Sequence, residues 1–116
     1  MTHGAEVLEG LREPAGALRA AIPEVYAGFG QLHKAVFSDG ALDVKTKELI
    51  ALALAVTKQC DGCIATHARA AVRNGATKEE AAEAIGVAIN LNGGPATVYG
   101  PRAYAAFLEY DEKKKG

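Results

Sequence analysis

Helix breakers punctuate this chain at intervals that leave only helical lengths between them. Pro14, Pro23, Ser38-Asp39-Gly40, residues 59–61, Asn74-Gly75 and Gly93-Gly94-Pro95 each interrupt a backbone otherwise rich in helix formers. Runs of β-branched and aromatic residues alternating with period two are absent. The pattern therefore predicts an all-α fold of about six or seven helices.

Two short helices are expected over 3–12 and 15–21, held apart by Pro14. Pro23 suits the first turn of a third, over 24–37, where its missing N–H costs nothing. Asp43 can cap a fourth over 44–58, whose Val44, Leu49, Ile50, Leu52, Leu54 and Val56 spread apolar surface most of the way round. That helix is expected to be the central and most buried one. A fifth starts at or just after Cys60 and ends near Asn74, with Gly75 free to turn left-handed. Thr77-Lys78-Glu79-Glu80 reads as a capping box opening a sixth, and a last helix is expected over about 96–110.

At 116 residues, 49% apolar and 23% charged, with a formal net charge of -1, the chain reads as one soluble domain over 1–116. No basic run precedes Lys113, which argues against nucleic acid as a partner. The apolar stretch 49–56 is far short of the roughly 20 residues of a membrane span. No basic and apolar leader opens the sequence, so a cytoplasmic, reducing compartment is the expectation. Several helix faces are dominated by alanine, which supplies little buried area per residue. Stability supplemented by association, in a helical homo-oligomer, is expected.

The two cysteines, Cys60 and Cys63, are three apart, a spacing a random pair takes in roughly 2% of arrangements. At about 100° per residue, positions 60, 63 and 67 fall on one face of the fifth helix, so two thiols and the His67 imidazole meet there. A helix N-terminus favours a thiolate through its unpaired N–H groups and dipole. His67 can accept or relay the thiol proton, and the two sulfurs can close into a disulfide. Glu48 has small or apolar helical neighbours in Val44, Ala51, Leu52 and Ala55, which places its carboxylate beside core surface, suited to a general base. The bland alternative is an exposed Glu48 between Lys45 and Lys47, favourable to the helix dipole. For His67 it is a satisfied, partly buried histidine. For the cysteines the rivals are inert packing and zinc, whose ligand set would need His3, His33 or a carboxylate beside Cys60, Cys63 and His67. A thioredoxin-type motif would need strands, and Gly93-Gly94 reads as a helix stop.

The arrangement Glu48-x11-Cys60-x2-Cys63-x3-His67, set in Lys-Glu-Leu-Ile-Ala-Leu-Ala-Leu-Ala-Val and followed by His-Ala-Arg-Ala-Ala-Val-Arg-Asn-Gly-Ala-Thr-Lys-Glu-Glu, resembles the alkylhydroperoxidase AhpD-like group of the carboxymuconolactone decarboxylase superfamily. The likeness is close over residues 40–92 and elsewhere is one of helical character alone. It implies an all-helical fold, trimers or hexamers, and a cofactor-free peroxidase or disulfide reductase activity. It further implies that Glu48 and His67 relay a proton from one cysteine, which attacks a hydroperoxide while the other resolves the sulfenic acid. A dithiol donor of the lipoamide or thioredoxin kind would then reduce the disulfide. His67, one turn away, favours Cys63 as the attacking thiol and Cys60 as the resolving one. Where some members carry a histidine just before the second cysteine, this chain has Gly62 preceded by Asp61. An acidic Asp61 works against a thiolate at Cys60. The competing functions are a decarboxylase-like lyase using His67 and Glu48 as acid and base, and a zinc-binding or redox-sensing helical oligomer without turnover.

Overall fold

A computed structural model describes residues 2–116, and its architecture is all-α. Among the described residues six helices follow one another: α1 (Ala5–Ala21), α2 (Pro23–Val36), α3 (Val44–Lys58), α4 (Asp61–Arg73), α5 (Lys78–Asn92) and α6 (Gly94–Lys115). The count is six because Pro14 lies inside α1 and does not divide it, contrary to the expectation of two short helices. Proline deletes one backbone bond to the carbonyl four residues back, here Gly10. Both residues are exposed, so water can satisfy that carbonyl. Pro101 is accommodated in the same way inside α6, which runs on to Lys115.

Capping matches the local sequence. The Asp43 carboxylate accepts from the Thr46 N–H at 2.8 Å to open α3. Thr77 and Glu80 form the reciprocal capping box of α5, each accepting the other's backbone N–H at 3.1 and 2.9 Å.

The core lies among α3, α4, α5 and α6. Phe107, Leu52, Ile64 and Val56 are fully buried within it, each contributing about 1.5–3 kcal/mol of burial. Between them sit alanines, including Ala65, Ala68, Ala81 and Ala103, which allow close helix approach. Gly100 serves the same end, since a Cβ there would lie 2.9 Å from Ile85 Cγ2.

The expectation that α3 is apolar because it is buried all round is half met. Leu52, Ala55 and Val56 are buried, but Ile50 and Leu54 remain 46% and 56% exposed. Helix α2 buries no residue and meets the rest of the fold chiefly through α1. Among the described residues, no helix is long and apolar enough to cross a membrane.

Candidate functional site

The site forms where α3 and α4 fold back on one another. Gln59 ends α3 in the left-handed conformation (φ 54°, ψ 46°), and the Cys60 N–H returns to the Ala55 carbonyl at 3.2 Å. This tight reversal makes α3 and α4 antiparallel neighbours. Glu48 and His67 meet across them, with Oε1 and Nδ1 2.7 Å apart.

Glu48 is the one buried charged side chain among the described residues, at 3% exposure. Its flanking lysines are engaged elsewhere: Lys45 Nζ pairs with Glu80 at 3.0 Å. Lys47 Nζ donates to the carbonyls of Val36 and Ser38 at 2.8 and 2.6 Å. The exposed, dipole-favoured placement is therefore not the one adopted. An ionised Glu48 can only accept, an arrangement that puts the shared proton on Nδ1 and leaves Nε2 free to take another.

Aromatic rings hold the imidazole from the other side. Phe37, at the C-terminus of α2, stacks on His67 with centroids 5.5 Å apart, and His33 stacks on Phe37 at 4.5 Å. The two carbonyls gripped by Lys47 flank Phe37, so one lysine ties this ring to the helix that carries Glu48.

Cys60 and Cys63 are joined as a disulfide, with Cα atoms 5.2 Å apart. Cys60 is the N-cap of α4, and its sulfur accepts the Cys63 N–H at 3.2 Å. Cys63 is exposed. It lies one turn before His67, a separation that sets Cβ atoms about 5–6 Å apart on a helix. The four residues singled out from sequence thus form two bonded pairs, Glu48 with His67 and Cys60 with Cys63, linked by a single turn of α4. Among the described residues, no group of three His, Cys, Asp or Glu side chains is placed to hold a metal ion.

Three neighbours were not evident in the sequence. Arg102 of α6 donates from one terminal nitrogen to both carboxylate oxygens of Asp61, at 3.1 and 3.2 Å, and its guanidinium lies over the Tyr99 ring at 4.4 Å. The negative charge expected to disfavour a Cys60 thiolate is therefore paired with a cation. Leu11 of α1 covers Gly62, its Cδ1 3.1 Å from where a Cβ would stand. Phe37 carries no local signal at all, since its role arises only from the turn that follows α2.

Four similarities place this geometry among known proteins. The chain matches the carboxymuconolactone decarboxylase family over residues 23–109. An uncharacterised protein of Cupriavidus necator is 44% identical over 92 residues, covering 79% of this chain and 81% of that protein. A crystal structure of a carboxymuconolactone decarboxylase family protein from Legionella pneumophila superposes with a TM-score of 0.88 at 43% identity, over 92% of this chain and 96% of that one. A family member from Thermotoga maritima, described in connection with an antioxidative response, gives 0.71 at 37% identity, over 78% and 93% of the two chains.

Proposed function

We propose, for a chain that belongs to the carboxymuconolactone decarboxylase family, that it reduces hydroperoxides through the Cys60–Cys63 pair, with His67 and Glu48 as its proton relay. The observation that carries this reading is a buried Glu48 paired with a half-buried His67, one helical turn from an exposed, disulfide-forming Cys63. The description of the Thermotoga maritima relative points the same way.

In the reduced protein, His67 Nε2 takes the Cys63 proton, directly or through one bridging water, while Glu48 stabilises the resulting imidazolium. The Cys63 thiolate attacks the terminal peroxide oxygen. The O–O bond breaks, the sulfur becomes a sulfenic acid, and the alkoxide leaves as an alcohol with the proton from His67. Cys60 then attacks the Cys63 sulfur, the S–O bond breaks, and water departs as the disulfide closes. Two thiols and one hydroperoxide thus yield a disulfide, an alcohol and water.

A dithiol donor of the lipoamide or thioredoxin kind completes the cycle: one donor thiolate attacks the exposed Cys63 sulfur, and the donor's second thiol then attacks its own sulfur in that mixed disulfide, freeing Cys63 and leaving the donor as a disulfide. Cys60 leaves as a thiolate, stabilised by the Cys63 N–H and the α4 N-terminus, which speeds exchange. Such a donor operates in a reducing compartment, and the cytoplasm is the proposed location.

The same reading includes other copies of this chain. Val25, Phe29 and Leu32 of α2, 60–67% exposed, recur along one face and continue to Val36. Ile50 and Leu54 of α3, with Val87 and Leu91 of α5, line an apolar groove of about 360 Å³. Seating α2 of one copy in this groove of the next joins two different patches, a head-to-tail contact that forms a ring when its rotation closes. A trimer, or two trimers as a hexamer, satisfies both surfaces.

The test is the intact mass of reduced protein before and after brief treatment with stoichiometric organic hydroperoxide. Loss of two hydrogens within seconds, abolished by Cys63→Ser, is the expected result. An unchanged mass overturns the proposal, and full lyase activity in a Cys60→Ser/Cys63→Ser variant would move the chemistry to Glu48 and His67 alone.

A further inference from the structure

Helices α1, α4 and α6 enclose a cleft of about 840 Å³ whose charge runs against that of the whole chain. Arg12, Arg69, Arg73, Lys113 and Lys114 line it, opposed in the lining by Glu9 alone. The cations come from three separate stretches of sequence, so the cluster exists only in the fold.

Most of this charge is not neutralised internally. Arg12 reaches Glu9 at 3.8 Å, but both side chains are largely exposed, and such a pair is weak. Lys113 pairs with Glu109 at 3.2 Å, outside the lining, and Lys114 donates to the Val72 carbonyl at 3.0 Å. Arg69 and Arg73 have no ion-pair partner among the described residues.

A second, independent feature belongs to a residue that lines the same cleft. The Tyr110 hydroxyl is buried yet has no hydrogen-bond partner, the sole such side-chain atom among the described residues. Buried polar atoms are nearly always satisfied, so a hydroxyl left without a partner beside a cleft has a hydrogen bond to offer a water or a ligand group that reaches it. Burial pushes the Tyr110 phenol above its ordinary range despite nearby Arg69, so the hydroxyl remains a donor at neutral pH. Leu8, Val72 and the Tyr110 ring give the cleft an apolar floor beneath its basic rim.

We infer that this cleft binds a small amphiphilic organic anion, its carboxylate or phosphate head held by Arg69, Arg73 and the Tyr110 hydroxyl and its apolar stem lying against Leu8 and Val72. The volume suits such a molecule, since ligand pockets commonly span about 300–1,000 Å³. Planar guanidinium groups match the oxyanion geometry of either head. The site lies outside the cysteine motif and does not depend on the peroxidase reading.

Isothermal titration of the full chain with decanoate, octyl phosphate, inorganic phosphate and decanol tests the inference. Saturable binding of decanoate or octyl phosphate, about tenfold tighter than phosphate or decanol, is expected, and the stronger of the two identifies the head group. Arg69→Gln/Arg73→Gln should weaken it by about tenfold or more. Tyr110→Phe removes no existing hydrogen bond and relieves a buried, unpaired hydroxyl, so it should weaken binding without lowering the thermal midpoint. Cys60→Ser/Cys63→Ser should bind as wild type, which separates this site from the redox chemistry. Absence of saturable binding, or binding unaffected by the double arginine variant, overturns it.

Discussion

Arg102 and Asp61, forty-one residues apart, meet beside the disulfide, one guanidinium nitrogen donating to both carboxylate oxygens. Asp61 directly follows Cys60, so its charge acts on the sulfurs unless it is balanced. Arg102→Leu should remove that balance and disfavour the thiolate. Alkylation of reduced protein by iodoacetamide at neutral pH should slow by about two- to fivefold, with its pH profile displaced upward. The effect is modest because both side chains are about a third or more exposed. Asp61→Asn in the same background should restore the rate, and failure to do so would assign Arg102 a purely packing role.

The Glu48–His67 pair predicts opposite outcomes for its two single variants. Glu48→Gln keeps the volume and can still accept from Nδ1–H, so stability should change little while peroxide-driven disulfide formation falls by about 10²–10⁴. His67→Ala strands a buried carboxylate and should destabilise the fold by about 3 kcal/mol at most, because His67 itself is partly exposed. The urea midpoint should recover when both changes are combined. Additive losses in that double variant would show that the two groups do not interact.

Phe37 is held over His67 by Lys47, whose ammonium grips the carbonyls on either side of it. Phe37→Leu should keep the fold and remove the ring-current displacement of the His67 imidazole protons, read by NMR. Lys47→Met should produce the same change more weakly, since it loosens the turn without deleting the ring. Unaltered His67 resonances in both variants would mean that the stack does not position the imidazole.

What was legible in the sequence was local. The Thr77–Glu80 capping box, the Asp43 cap and the Cys60 start of α4 depend on neighbours within a few residues, and each holds in the structure. Pro14 misled because its cost depends on whether the freed Gly10 carbonyl meets water, which is a property of the folded surface. Glu48 was ambiguous for a similar reason. Its burial is decided by Lys45 and Lys47 turning to partners on α5 and at the end of α2. Arg102, Phe37 and the basic cleft rest on contacts between distant segments, for which no spacing rule exists.

The carboxylates that cap helices also contribute to the acid sensitivity of the fold. Glu80 is held below the ordinary carboxylate range by the Thr77 N–H and then by Lys45, and Asp43 is lowered by Thr46. A group with a depressed folded-state pKa adds stability that is fully present above its unfolded value and is lost as pH falls through the folded one. The urea midpoint should therefore hold from about pH 7 to the ordinary carboxylate range and decline below it. Glu80→Gln should start from a lower midpoint near neutrality and decline less on acidification, because the charged form it lacks is the one the fold prefers. Thr77→Ala should cost about 1 kcal/mol near neutrality and blunt the acid decline as well, since it removes the other half of the box. Parallel curves for wild type and Glu80→Gln would place the acid sensitivity elsewhere in the molecule.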